Sequence, residues 1–212
     1  IGIELRFDEF SVSIAVICLI GWLAIMFSWA YAKHAIPEPR IPYYYALMLL
    51  CLGGMNGFAS TGDIFNMFVF LEILSLSGYA LVAITGEHIA ELAAFKYLVM
   101  GAVSSLSFLL GIGLLYTLTG TLNMTDMGVR LGFVEPFPAV VAVAAMTLGF
   151  SVKAALFPMH IWLPDAHSIA PGPVSAVLSG LVVKVGVLGM LRMLQILYTA
   201  QLFDLSALNN AL

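Results

Sequence analysis

Charge is the scarcest thing in this chain. Of 212 residues only 9% are Asp, Glu, Lys or Arg, against 62% hydrophobic. Soluble domains carry about 25% charged residues, so this composition cannot cover a water-exposed surface. Eight basic and twelve acidic residues leave a net charge of −4, too little to imply nucleic acid or an acidic partner. Cysteine is nearly absent too. Cys18 and Cys51 both fall inside apolar runs, which argues against a disulfide framework. There is no GxGxxG, no CxxC pair and no histidine spacing suited to haem, so no cofactor is expected. His160, His167 and Asp165 lack a fourth ligand or a recognised spacing, so no metal is expected either. The eleven methionines are pliable apolar filler.

What remains is apolar length. The runs are near 20 residues and continuous, whereas barrel strands would alternate over about 10 residues. The chain reads as an all-α, polytopic, multi-pass membrane protein: one transmembrane domain over residues 1–212, with the bilayer as its first partner. Six spans are expected: 10–32, 43–60, 64–85, 92–118, 139–157 and 174–198. Asp63 is placed to N-cap the third. Tyr43, Tyr44, Tyr45 and Tyr198 sit at span ends, as in an interfacial aromatic belt. Residues 158–173 hold four prolines yet also Met159, Ile161, Trp162 and Leu163. Pro158 and Pro164 are expected to break the fifth span, because each removes a donor and clashes with the preceding turn. Irregular backbone at membrane depth lines a wet cavity or is buried in protein; an ordinary interfacial loop is the alternative. The start at Ile1, without a signal-peptide pattern, reads as a fragment or processed product of something longer.

Three apolar runs are interrupted by charge: Glu72, Lys153 and Lys184. A charge at the centre of a membrane helix costs about 2.5–3.5 kcal/mol even on the lenient insertion scale. Both signs on separate helices suggest a path for ions or protons. Lys184 is too central to snorkel, whereas Lys153 is near enough to a span end to do so. Lys96 can snorkel, or pair with Glu72 or Glu91. Arg192 reads as an interfacial anchor. His160 and His167 titrate near physiological pH, and either proton transfer or loop bracing suits them. Asp165 follows Pro164 and suits a helix cap. Ser75, Ser77, Ser104, Ser105 and Ser107 read as small packing residues whose hydroxyls can also hold water.

At these residues the chain resembles the antiporter-like proton-translocating subunits of respiratory complex I, membrane-bound hydrogenases and Mrp-type cation/proton antiporters. The segment Gly62-Asp63-Ile64-Phe65-Asn66-Met67-Phe68-Val69-Phe70-Leu71-Glu72 looks like the family's glutamate helix. Residues 153–158, His160, Trp162-Leu163-Pro164-Asp165-Ala166-His167 and Ala170-Pro171 look like its broken helix. Residues 181–192, with Lys184, look like the helix after it. Asp8-Glu9-Phe10-Ser11 is a weaker match to an earlier helix. The Asp-Ile-Phe-Asn stretch leans toward the D-type subunits of Mrp antiporters and the hydrogenase relatives. The resemblance implies the N-terminal half of a fold of about fourteen helices built from inverted repeats. It also implies roles: Glu72 and Lys153 as a buried coupling pair, Lys184 as central carrier, and His160 as a bridge. Lys96, His167 and Asp165 are secondary candidates.

Two readings follow. In the first, the chain is a proton- or sodium/proton-translocating subunit of a larger complex in a cell or energy-converting membrane. It then does no covalent chemistry itself, even if its complex is a redox-driven translocase. In the second it is a membrane scaffold with a degenerate ion path. A quinone pocket is a third idea, resting only on His160, Trp162 and His167.

Overall fold

Proline and glycine cut the chain into helices close to the ends of its apolar runs. The computed structural model describes residues 4–8, 10 and 12–200, so Glu9 and Ser11 of the weaker motif lie outside the described residues. In order the helices are α1 (Val12–Ala35), α2 (Ile41–Ser60), α3 (Ile64–Val82), α4 (His88–Thr119), α5 (Met124–Leu131), α6 (Pro136–Lys153), α7 (Trp162–Ile169), α8 (Gly172–Val177) and α9 (Val183–Thr199). A π-turn, Leu178–Val182, joins the last two into one long stretch. No strand occurs among the described residues.

Among the described residues, five stretches are long and apolar enough to cross a membrane: Val12–Ala35, Ile64–Val82, His88–Thr119, Pro136–Lys153 and Gly172–Thr199. At 1.5 Å per residue, the 32 residues of α4 extend about 48 Å, well beyond a hydrocarbon core of about 30 Å. The sixth expected span is α2. It has 20 residues, but Pro42, three tyrosines and Asn56 dilute its hydropathy. It lies against both α1 and α3.

Local chemistry explains the boundaries. Asp63 does N-cap α3, its Oδ1 accepting from Asn66 N at 2.8 Å. Gly120, at φ 69, closes α4 in the left-handed conformation that glycine adopts without cost. Pro136 and Pro138 occupy the first turn of α6, where a missing N–H is no loss, so α6 begins before the expected residue 139. The polar connection after α4, too hydrophilic to register as a span, contains the short helix α5. Asn123 caps it, accepting from Thr125 N and Asp126 N. Tyr44 departs from the aromatic belt: it is fully buried, while Tyr43 and Tyr198 are exposed.

The tightest packing is between α4 and α6. A Cβ on Gly149 would stand 2.7 Å from the Ser104 carbonyl, and one on Gly111 would stand 2.2 Å from Met146 Cγ. Ser104 Oγ also donates to the Gly149 carbonyl at 2.7 Å. Small residues let membrane helices meet at backbone distance, where dispersion and hydrogen bonds replace the missing hydrophobic drive. At one end of the bundle, backbone bonds stitch three segments together. Arg6 N donates to Ser60 O, Gly62 N to Glu4 O and Met124 N to Gly62 O, at 2.7, 2.8 and 3.0 Å. The outer faces of α1 and α4 present Trp22, Phe27, Trp29, Leu106 and Leu110, as a lipid-facing surface should.

Gly149→Leu should therefore force α4 and α6 apart, destabilising the bundle by about 1–3 kcal/mol. Gly113→Ala, whose added Cβ meets nothing within 4 Å, should be neutral or mildly stabilising. Thermal midpoints of the purified protein in detergent check both, and equal effects would refute close backbone packing as the basis of the α4–α6 contact.

Candidate ion-translocation site

The site begins where α6 ends. Ala155 takes a left-handed conformation, φ 52, and the chain makes a Schellman turn there without glycine. Ala155 N donates to Val152 O at 3.2 Å and Leu156 N to Ser151 O at 2.9 Å. Trp162, from the start of α7, adds its Nε1 to the Val152 carbonyl at 2.9 Å. The last carbonyls of the broken helix thus find protein donors, as burial demands. Of the two prolines expected to break the helix, Pro158 lies in the gap and Pro164 does not. Pro164 sits in the first turn of α7, a tolerated position.

This geometry places Lys153 in the last turn of α6, beside the negative end of the helix dipole. Its side chain does not snorkel. Lys153 is 1% exposed, and its Nζ donates to Ser75 Oγ at 2.7 Å and to Tyr79 OH at 3.0 Å, both on α3. Ser75 donates its own proton to the Leu71 carbonyl. Nζ also lies 5.2 Å from the Tyr79 ring centroid and 5.8 Å from that of Tyr97. Because the hydroxyl is far closer than the ring centre, the hydrogen bond dominates over cation–π attraction. Tyr79 meets Tyr97 edge-on at 4.5 Å, and Tyr97 stacks on Trp162 at 4.0 Å with planes 6° apart. One aromatic stack therefore ties the hydroxyl that holds Lys153 to the indole that caps its helix.

Glu72 precedes Ser75 and Tyr79 by three and seven residues, so all three share one face of α3. It is half-buried, and its carboxylate accepts from Ser105 Oγ on α4. Glu72 is close enough to Lys153 to feel its charge. Among the described residues, however, no ion pair within 4.0 Å joins them. The expected pair is thus half-buried on one side and parted, because each charge reaches a hydroxyl on a neighbouring helix without moving its own backbone.

The other candidates lie apart. Lys184 follows the π-turn on an exposed face and donates to the Ser179 carbonyl at 2.6 Å. His167 Nδ1 is 2.8 Å from Ser175 Oγ, and the ring is within electrostatic reach of Lys184. His160 lies in the break, its ring 5.7 Å from that of Phe157, and its buried Nδ1 has no hydrogen-bond partner among the described residues. Lys96 pairs with Asp165 at 2.6 Å rather than with Glu72 or Glu91, and Asp165 braces α7 from within its first turn instead of capping it.

Arg192 is the largest departure from expectation. It is 3% exposed, not an interfacial anchor, and grips Asp8 through two nitrogens at 2.6 and 3.2 Å. It also donates to the Ala59 carbonyl at 2.8 Å and covers the Phe10 ring at 5.0 Å. Opposite charges 184 residues apart carry no local signal of their meeting. Nor does the sequence mark the hydroxyls of Ser75, Tyr79 and Ser105 as charge partners, although the i+3 and i+7 spacing from Glu72 points to the first two.

The fold and the site define a polytopic membrane helix bundle with a broken helix and a buried lysine at the break. Residues 61–208 match the family described as NADH:quinone oxidoreductase/Mrp antiporter, TM, and the chain belongs to that family. It is 40% identical over 195 residues to NADH-quinone oxidoreductase subunit N of Desulforudis audaxviator, covering 91% of this chain and 38% of that protein. It is 33% identical over 200 residues to the D-type subunit of the Na(+)/H(+) antiporter of Bacillus subtilis, covering 93% and 40%. Among solved structures it is similar to the membrane-bound sulfane sulfur reductase, an archaeal respiratory membrane complex. There the TM-score is 0.87 at 37% identity, over 99% of this chain and 42% of that one. A chain of the Mrp complex from a Dietzia species gives a TM-score of 0.80 at 30% identity, over 91% and 36%. The chain thus spans about two-fifths of the length of these relatives.

Arg192→Leu should remove the guanidinium's bonds to Asp8 and to the Ala59 carbonyl and destabilise the bundle by about 3 kcal/mol. Adding Asp8→Asn should recover part of that loss, and thermal midpoints of the three variants measure the coupling. Simple additivity would show that the pair does not act as a unit.

Proposed function

We propose that this chain is an ion-translocating part of a larger membrane complex, moving protons or exchanging them for sodium. Residues 1–212 correspond in this reading to the N-terminal half of an inverted-repeat antiporter fold, within one transmembrane domain. Glu72 and Lys153 are the coupling pair, Lys184 is the central carrier and His160 the bridge. Lys96, His167 and Asp165 assist at the broken helix. Other membrane subunits are the partners.

The observation that carries this reading is Lys153 itself. It is a lysine almost wholly removed from solvent, at the end of a broken helix, whose hydrogen bonds to described residues go to hydroxyls that can exchange. A structural charge would sit in a fixed ion pair, as Arg192 does with Asp8. Lysine also suits proton work better than arginine, since its pKa moves within reach of neutral pH when desolvated. A second reading, a scaffold with a degenerate path, draws on the parting of Glu72 from Lys153.

Lys184→Ala should abolish ion translocation while the complex still assembles, and Lys184→Arg should fail to rescue it because arginine cannot release its proton. Proton uptake into vesicles holding the purified complex is the measurement. Wild-type rates in either variant would remove Lys184 from the mechanism and favour the scaffold.

A further inference from the structure

Tyr79 has no role in the translocation mechanism proposed for this chain, yet it is one of two side chains that hold Lys153. We propose that Tyr79 is a positioning residue that competes with Glu72 for Lys153. In the arrangement seen here the ammonium rests on the Tyr79 and Ser75 hydroxyls while Glu72 rests on Ser105. Coupling then requires Lys153 to exchange Tyr79 for Glu72. This rests on the proposed translocation role of Lys153.

Three independent features of the packing support it. First, Glu72, Ser75 and Tyr79 stand on one face of α3, so the carboxylate and the phenol lie on the same side of the helix that Lys153 approaches. Second, the place of the phenol is prepared. A Cβ on Gly101 of α4 would stand 1.6 Å from the Tyr79 hydroxyl, so only glycine leaves room for that oxygen. Third, the ring is oriented by its edge-on contact with Tyr97, which itself stacks on Trp162. The stack ends at the carbonyl of Val152, the residue before Lys153. A phenol there purely to fill space would need neither a seat for its oxygen nor a hydrogen bond to a buried ammonium. Phenylalanine would pack as well and leave nothing polar to satisfy.

The experiment uses the purified complex containing this chain, reconstituted in vesicles, with Lys153→Ala, Tyr79→Phe, Glu72→Gln and the Tyr79→Phe/Glu72→Gln double variant. Lys153→Ala tests the underlying reading and should abolish transport. Tyr79→Phe keeps the ring contacts and removes the competing acceptor. It should assemble normally and slow turnover by about tenfold or more, the lower end of the effect expected for one hydrogen bond to a charge. The decisive readout is coupling: without the phenol, Lys153 depends on Glu72, so Glu72→Gln should lower the thermal midpoint more in the Tyr79→Phe background than in wild type. A structural role for the phenol would leave those two effects equal. Wild-type turnover with additive midpoints overturns this inference and leaves the translocation role intact. Wild-type transport by Lys153→Ala overturns both. Should Tyr79→Phe fail to assemble, Ser75→Ala probes the same cradle. It should show the same slowing and the same coupling to Glu72→Gln, and additivity there overturns the proposal equally.

Discussion

A helix that ends inside a packed bundle must hand its last carbonyls to something other than water. The end of α6 meets this demand with a Schellman turn at Ala155 and the indole of Trp162, and much else depends on that solution. Trp162 reaches Val152 because the chain turns back after the break and α7 packs against α4. In doing so it stacks on Tyr97, which orients Tyr79, which holds Lys153. On the opposite side, α9 can approach the same helix end because Gly186 carries no Cβ. One there would stand 2.5 Å from Ala154 N. The break, the aromatic stack and the buried lysine are therefore one construction, and loosening any part loosens the others.

The two buried cations show how differently one bundle can treat charge. Arg192 has a carboxylate, a backbone carbonyl and an aromatic face, which together offset its desolvation and pin the N-terminal segment to α9. Lys153 has two neutral hydroxyls and the end of a helix dipole. The planar, always-charged guanidinium serves as a staple, whereas the compact ammonium, which can lose its proton, occupies the site whose partners are exchangeable.

Much of this architecture was legible in the sequence, because membrane depth makes composition and breakers decisive. Apolar length located the helices, Asp63 announced its cap, and Pro158 with its neighbours announced the break. Boundaries drifted where local chemistry overrode hydropathy. Ala154 to Phe157 are apolar enough to extend α6, and only the turn at Ala155, made without the usual glycine, ends it. For the candidate site, sequence supplied the charged residues but not who holds whom. Lys96 meeting Asp165 and Arg192 meeting Asp8 are long-range contacts with no periodic signature. The serines read as packing residues because a hydroxyl in a membrane helix usually bonds its own backbone, as Ser77 does to Ile73 and Leu74. Ser75 also makes such a bond, and only the approach of α6 turns it toward Lys153 as well.

The parting of Glu72 from Lys153 is better understood as a requirement than as a defect. Breaking a fully buried ion pair by removing one partner costs about 3–5 kcal/mol, while a single hydrogen bond to a charge is worth about 1.5–3 kcal/mol. A lysine locked against a carboxylate in a dry interior would have to give up the ion pair each time it moved. Held on Ser75 and Tyr79, with the carboxylate on Ser105, each charge gives up only a hydrogen bond, and the hydroxyls can offer a lone pair to whichever donor arrives. The same logic sorts the three cations by the partners that hold them. Lys184, exposed and bonded only to the Ser179 carbonyl, is the freest to take a new partner; Arg192 is the least free; Lys153 stands between them. The translocation role proposed for Lys153 draws on that middle state, a charge stable enough to remain buried and bound weakly enough to be passed on.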